Sequence, residues 1–258
     1  MIPKIIHYCW FGGNPLPELA QKCIESWKKF CPEYEIIEWN ESNFDIAANV
    51  YAKEAYEAKK WAFVSDVARL YALVTVGGIY MDTDVEVLKP LDEFLSLEAF
   101  SGFETETAIP TGIMAAEKGQ PLFAELLHDY DNVHFLREDG TPDCTTNVIR
   151  ITNLCLKYGL KLNNQKQTVR GFTLFPCDYF CPKNPATKEL RITDHTVTIH
   201  HFDGSWLSDE ERLQVKLRDK YSKRMPKTAA RFLAKFVSVK RYRGFKAAMA
   251  EFFKWLKK

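Results

Sequence analysis

The sequence predicts an α/β fold, a mainly parallel central sheet flanked by helices, followed by a basic helical appendage. Three observations carry this. From Lys4 to Leu88, apolar runs of strand length alternate with amphipathic stretches of helical length, the order that gives parallel strands joined by crossover helices. Glycine pairs at Gly12-Gly13 and Gly77-Gly78 punctuate that alternation. Finally, charge is segregated: from Arg212 onward there are 16 Lys and Arg against 2 acids, whereas residues 1–211 hold 19 basic and 32 acidic residues. With 258 residues, 46% of them apolar and 14% aromatic, the chain can build one sizeable core.

In order, Lys4 to Trp10 reads as a buried strand that ends in the Gly12-Gly13 turn. Pro15 to Cys31 is amphipathic, with Leu19, Cys23 and Trp27 at helical spacing, and Tyr34 to Trp39 is the next strand. Helices follow at Asn49 to Lys59 and Trp61 to Val76. In the second of these, Phe63, Val67, Leu70, Tyr71 and Val74 make one apolar face, and Gly77-Gly78 stops the helix. Ile79 to Met81 resumes as a strand and runs into Asp82. Further on, helices are expected at Pro121 to Tyr130 and Thr146 to Tyr158, and strands at Val169 to Phe175 and His195 to Phe202. After Trp206 the chain reads as helical, from Asp209 to Lys223 and, beyond Pro226, from Thr228 to Lys258.

Several classes are disfavoured. The seven cysteines are scattered without a CxxC pair, so neither a zinc site nor a disulfide scaffold is indicated, and a reduced, cytoplasmic protein is expected. No signal-peptide core is read at the N-terminus, and no apolar run approaches ~20 residues.

In open α/β sheets ligands bind beyond the carboxyl ends of the strands. Trp10-Phe11-Gly12 and Asp82-Thr83-Asp84 both fall there. Two carboxylates one residue apart after an apolar strand repel each other unless a cation or proton offsets them. Taken alone, the pair admits a solvated turn, a phosphohydrolase nucleophile at Asp82, or hard oxygen ligands for Mg²⁺ or Mn²⁺ holding a sugar diphosphate. Asp66 and Arg69, three apart on one face of the preceding helix, favour the last. An acid for sugar hydroxyls beside a cation suits a polyol diphosphate better than a phosphomonoester.

The joined segment SDVARLYALVTVGGIYMDTDVEVLKPL resembles the donor-site signature of glycosyltransferase family 32. That family covers capsule and lipopolysaccharide sugar transferases and yeast mannosyltransferases, and the large clostridial glucosylating toxins share the signature. HYCWFGG (His7 to Gly13) and IHHFDGSW (Ile199 to Trp206) resemble the segments that stack on the nucleotide base and close over the metal and diphosphate. The resemblance implies a GT-A type nucleotide-sugar-binding fold, with a catalytic domain at 1–207 and the tail at 208–258. It also implies a donor site of Trp10, Asp66, Arg69, Tyr80, Asp82, Ser205 and Trp206. Asp84, Asp82 and a histidine would hold Mn²⁺ or Mg²⁺. His200 and His201 alternate on a strand, so one of them faces the site; His201 is the expected ligand and His200 the alternative. Thr111, Gly112 and Asn147 are expected on the acceptor side.

The implied reaction moves a hexosyl unit from a nucleotide diphosphate sugar, UDP-linked or as GDP-mannose, to a hydroxyl of a glycan or lipid-linked acceptor in bacterial surface polysaccharide synthesis. Family 32 enzymes retain anomeric configuration, and the diphosphate can then take the proton, so no protein base is obligatory. A DxD phosphohydrolase with Asp82 as nucleophile and a non-catalytic sugar-nucleotide scaffold are the alternatives. The tail interleaves Phe, Trp and Leu with Lys and Arg, with Phe245, Met249, Phe252, Phe253 and Leu256 on one helical face. This predicts peripheral docking on anionic lipid at the inner face of the plasma membrane. A helix simply packed on the domain is the alternative, and no nucleic-acid motif accompanies the charge.

Overall fold

Ile5–Cys9 form β1 of the computed structural model, which describes residues 1–204 and 207–256. This strand pairs in parallel with β2 (Glu35–Trp39) on one side and β3 (Gly78–Met81) on the other. The connections are the expected helices: α1 (Glu18–Phe30) from β1 to β2, then α2 (Val50–Glu57) and α3 (Trp61–Thr75) from β2 to β3.

α1 buries Ala20, Cys23, Ile24 and Trp27 along one stripe, and the Trp27 indole donates to the Val85 carbonyl at 2.7 Å. That bond ties α1 to the strand that follows the paired acids. α3 is buried on almost every side; Phe63 through Leu70 are all shielded, Asp66 and Arg69 among them. A helix apolar nearly all round belongs inside a domain, and here it takes two charges in with it. Tyr71, expected on the buried face, is instead exposed and packs edge-on against Trp39 and Phe44.

The step from α3 to β3 has no room for side chains. Gly77 and Gly78 have φ of +79° and +116°, and an added Cβ would lie 2.7 Å from the Lys118 amide and 2.7 Å from the Ile5 carbonyl, respectively. Only glycine fits both demands. His7, fully buried on β1, pins the same step: its Nε2 donates to the Gly77 carbonyl at 2.7 Å and its Nδ1 accepts from the Trp39 indole at 3.0 Å. Burial lowers the pKa of this imidazole, consistent with a neutral, structural ring.

Beyond β3 the chain forms β4 (Val85–Val87), β5 (Ala99–Gly102), β6 (Ile113–Ala116), α4 (Pro121–His128) and α5 (Asn147–Lys157). It continues through β7 (Gln167–Val169), β8 (Phe172–Phe175), the short α6 (Cys177–Phe180) and β9 (Thr198–His200). Among the described residues, seven strands make one sheet in the order β2-β1-β3-β6-β5-β8-β7, and β4 pairs with β9 apart from it. The sheet is mainly parallel, as expected: β1, β2, β3, β5 and β8 run one way, and β6 and β7 run against them. Alternate residues of β3 enter different cores, Tyr80 on one face and Ile79 and Met81 on the other.

Two expected strands change shape. Val169 to Phe175 is a hairpin rather than one strand, because Arg170 and Gly171 take φ of +48° and +78°, the pattern of a two-residue turn. His195 to Phe202 shortens to β9.

The chain forms two compact units, Met1–Asp203 and Gly204–Lys258. The second contains α7 (Asp209–Ser222), α8 (Lys227–Arg243) and α9 (Phe245–Leu256). Ser208 and Glu211 form a reciprocal cap that starts α7. The single helix expected over 228–258 is broken by Gly244 at φ +87°. α9 therefore folds back on α8, with Phe232 against Phe252 and Trp255 at ring separations of 5.7 and 4.5 Å. The apolar face expected of the tail is thereby divided. Ala248 is buried, while Tyr242, Phe245, Phe253 and Trp255 remain exposed. No helix among the described residues is long and apolar enough to cross a membrane.

Candidate functional site

β3 delivers its last residue, Met81, to the carboxyl edge of the sheet, and Asp82 hangs there by its amide on the Gly112 carbonyl at 2.8 Å. The Asp82 carboxylate is held from inside. Its Oδ1 accepts from the Tyr80 hydroxyl at 2.8 Å and lies 3.3 Å from Arg69 Nη1. Arg69 is the hub of this wall. Its Nε and Nη1 donate to the Ser65 and Thr111 carbonyls, at 3.0 and 2.8 Å. Its Nη2 is 3.4 Å from Asp66 Oδ1, and its guanidinium lies 4.5 Å from the Tyr80 ring centroid. A buried cation must be paired on several sides, and Arg69 meets both acids and two carbonyls.

Asp66 is supported in turn by the start of α5. The Asn147 amide donates to Asp66 Oδ2 at 3.3 Å, and Asn147 Nδ2 donates to the Asp66 carbonyl at 2.9 Å. Tyr130 donates to Asn147 Oδ1 at 3.1 Å. Burial pushes the Asp66 pKa up to about 6, with Arg69 and the Asn147 amide pulling against it.

Asp84 faces the β4–β9 ladder. Because Val85 is registered opposite His200, His200 Nε2 comes to 3.2 Å from Asp84 Oδ1 and 3.9 Å from Asp82 Oδ2. Asp84 Oδ2 accepts from the Asp203 amide at 2.8 Å. Burial alone would raise the Asp84 pKa; the hydrogen bonds from His200 and Asp203 bring it instead to about 2. Burial likewise works against a charged His200, yet Asp84, Cys181 and Asp82 hold its pKa well above the usual range. Phe202 stacks on the His200 ring at 4.1 Å from a left-handed backbone, φ +55°. A bulky residue in that region is rare and strained, and such strain clusters at functional sites.

Ligand atoms of Asp82, Asp84 and His200 all lie within 4.8 Å of one another. Two carboxylates and an imidazole form a donor set that fits Mn²⁺ or Mg²⁺. The histidine is His200 and not the expected His201. Alternation along the strand sends His201 the other way, where its Nε2 meets Glu86 at 2.9 Å.

The other sequence-derived residues divide. Trp10 stands at the end of β1, at the same sheet edge as Asp82; its amide donates to the Trp39 carbonyl and its indole to the Asn14 carbonyl. Ser205 and Trp206 lie outside the described residues. Thr111 and Gly112 belong to the same wall, through Arg69, Asp82 and His200. Asn147, expected on the acceptor side, is fully buried and stands behind Asp66. Sequence reasoning also missed Tyr130, whose partner is 17 residues away.

Residues 17–101 match the family model described as "glycosyltransferase sugar-binding region containing DXD motif". The resemblance to DXD transferases read from the sequence is thereby borne out. Inositol phosphoceramide mannosyltransferase 3 of Schizosaccharomyces pombe is 32% identical over 146 residues, covering 52% of this chain and 40% of that protein. An uncharacterized glycosyltransferase of Acanthamoeba polyphaga mimivirus is 25% identical over 235 residues, covering 86% of this chain and 90% of that protein. Among solved structures, a glycosyltransferase involved in glycosylation of the major capsid of PBCV-1 aligns with a TM-score of 0.45 and 12% identity, over 86% of this chain and all of that one (100%). The chain thus spans less than half the length of the fission-yeast relative.

Proposed function

Taking the DXD-type glycosyltransferase sugar-binding region as the premise, we propose that the chain transfers a hexosyl unit from a nucleotide diphosphate sugar to an acceptor hydroxyl, with retention. The observation that carries this is the single wall in which Asp66, Arg69, Tyr80, Asp82, Asp84 and His200 meet. Asp66 and Arg69 hold donor hydroxyls, so that binding energy goes into orientation. Tyr80 and Arg69 fix the Asp82 carboxylate, and Asp203 fixes that of Asp84. Asp82, Asp84 and His200 would hold a divalent cation, Mn²⁺ by preference, which when bound neutralises charge on the departing diphosphate. Trp10, at the same edge, offers an aromatic face to the base.

A lipid-linked or glycan acceptor fits the second unit. At the α8–α9 turn, exposed Tyr242 and Phe245 sit among Lys240, Arg241, Arg243 and Lys246. Aromatic tips in a basic surround suit the headgroup region of an anionic leaflet, and we place the protein peripherally on such a surface. The fission-yeast relative is named for mannosyl transfer to an inositol phosphoceramide; this supports a hexosyl donor, GDP-mannose beside UDP-sugars, and a lipid-borne acceptor.

The test is donor hydrolysis. UDP-glucose and GDP-mannose are incubated with the protein and Mn²⁺, with p-nitrophenyl phosphate as the phosphohydrolase control. Turnover of a sugar nucleotide that vanishes in Asp84→Asn and in chelator supports the reading. Turnover of the phosphomonoester alone refutes it.

A further inference from the structure

The loop between β5 and β6 carries a carboxylate that neither the Asp82–Asp84–His200 group nor the Asp66–Arg69 pair uses. Glu104 stands two residues beyond the end of β5. β3 and β5 run in the same direction with β6 between them, so Glu104 emerges at the sheet edge where Asp82 does. Its loop is short and fastened at both ends. The Glu104 amide donates to the Ala108 carbonyl at 2.9 Å, and Thr105 bridges to Ala108. At the far end, Thr111 and Gly112 accept from Arg69 and Asp82, both at 2.8 Å, and Gly112 packs against the His200 ring. Glu104 is therefore placed by the site's own residues.

Its side chain is half-buried and lies in the field of His200 and Asp82. It is not one of the three grouped metal-ligand residues. Among the described residues its carboxylate has no hydrogen-bond or ion-pair partner, whereas Asp82, Asp84 and Glu86 nearby all have one. A partly desolvated carboxylate left unpaired is costly.

We propose that Glu104 holds the accepting hydroxyl and takes its proton during transfer. The inference rests on the glycosyltransferase reading above. The hydroxyl oxygen forms the new bond to the anomeric carbon as the bond from that carbon to the diphosphate oxygen breaks. The diphosphate leaves with the electron pair, and the hydroxyl proton passes to Glu104, which later releases it to water. Because β5 delivers Glu104 to the sheet edge that carries Asp82, it stands on the side of the leaving diphosphate, where an acceptor attacking with retention arrives. A protein base, not obligatory for such a reaction, is thus available.

The experiment uses the full chain with Mn²⁺, UDP-glucose and GDP-mannose as donors, and water as acceptor. Glu104→Gln and Glu104→Ala should lower the turnover number about 10²-fold or more, with donor KM and Mn²⁺ affinity within about threefold of wild type. Added formate should restore part of the rate to Glu104→Ala, a rescue that a merely structural role would not show. Rates within about threefold of wild type overturn the proposal. So does a loss that tracks weakened Mn²⁺ binding, and so does failure of formate to rescue. If the wild-type protein hydrolyses neither donor while Mn²⁺ still binds, the transferase reading itself falls, and the role of Glu104 with it.

Discussion

Gly112→Ala probes the metal group without touching a ligand. The glycine does not need a left-handed backbone, so alanine is conformationally allowed there; the obstacle is steric. A Cβ at this position would lie 2.6 Å from His200 Nδ1 and 2.7 Å from Cε1. Ordinary contact needs about 3.5 Å, so the ring must retreat by about 0.9 Å. The ring also stacks on Phe202 at 4.1 Å, and any movement disturbs the 3.2 Å approach of Nε2 to Asp84. Disturbing the support of a ligating histidine costs roughly 10–100-fold in metal affinity, or about 1.4–2.7 kcal/mol. Overpacking adds about 1–3 kcal/mol of lost stability, so thermal unfolding must first show a folded protein at the assay temperature. Free Mn²⁺ is then titrated by electron paramagnetic resonance without nucleotide. A folded Gly112→Ala protein with wild-type Mn²⁺ affinity would refute the placement of His200 in the group.

Three further outcomes follow from the same geometry. His200→Ala should weaken Mn²⁺ binding at least tenfold, whereas His201→Ala, which loses only a half-exposed contact with Glu86, should leave it within about threefold; the reverse order in the same titration restores His201 as ligand. Asp66, with its pKa raised from 3.8 to about 6, holds a proton in the folded state that the unfolded chain has already lost between those values. Its contribution to stability therefore falls as pH rises from about 4 to 6 and stays low above that. Asp66→Asn should gain on wild type in unfolding free energy over that window, by up to about 3 kcal/mol, while donor hydrolysis drops; a flat difference across pH contradicts the buried, strained carboxylate. Finally, the pair Tyr242→Ser and Phe245→Ser should cut sedimentation with phosphatidylserine vesicles about tenfold or more, and 0.5 M NaCl should release wild type as well; unchanged binding in the variant removes the α8–α9 turn as the membrane contact.

The readable parts of this chain are those whose cause is local. β1, β2, α1 and α3 follow from period and from glycine stops within about twenty residues, and the structure reproduces them nearly to the residue. β5 and β6 were not legible: each is four residues, buried throughout, so neither shows the alternation that marks a strand. That β6 lies between β3 and β5 is a long-range fact with no local signature. The site divides the same way. Asp66, Arg69, Tyr80, Asp82 and Asp84 lie within one short motif, whereas choosing His200 over His201 required the register of β9 on β4. Asn147 behind Asp66 depends on a contact across dozens of residues.

The glycine step at Gly77-Gly78 gives the molecule a ruler. With Lys118 and Ile5 backbone atoms where any side chain would begin, and His7 fastened to the Gly77 carbonyl, the chain between Asp66 and Asp82 cannot lengthen or shorten without tearing one half of the wall from the other. A change of length in that interval would therefore be felt on both sides of the wall at once. The interval from the first acid to the last is thus fixed by backbone contacts rather than by side chains. That interval is also where an engineer should leave the chain untouched.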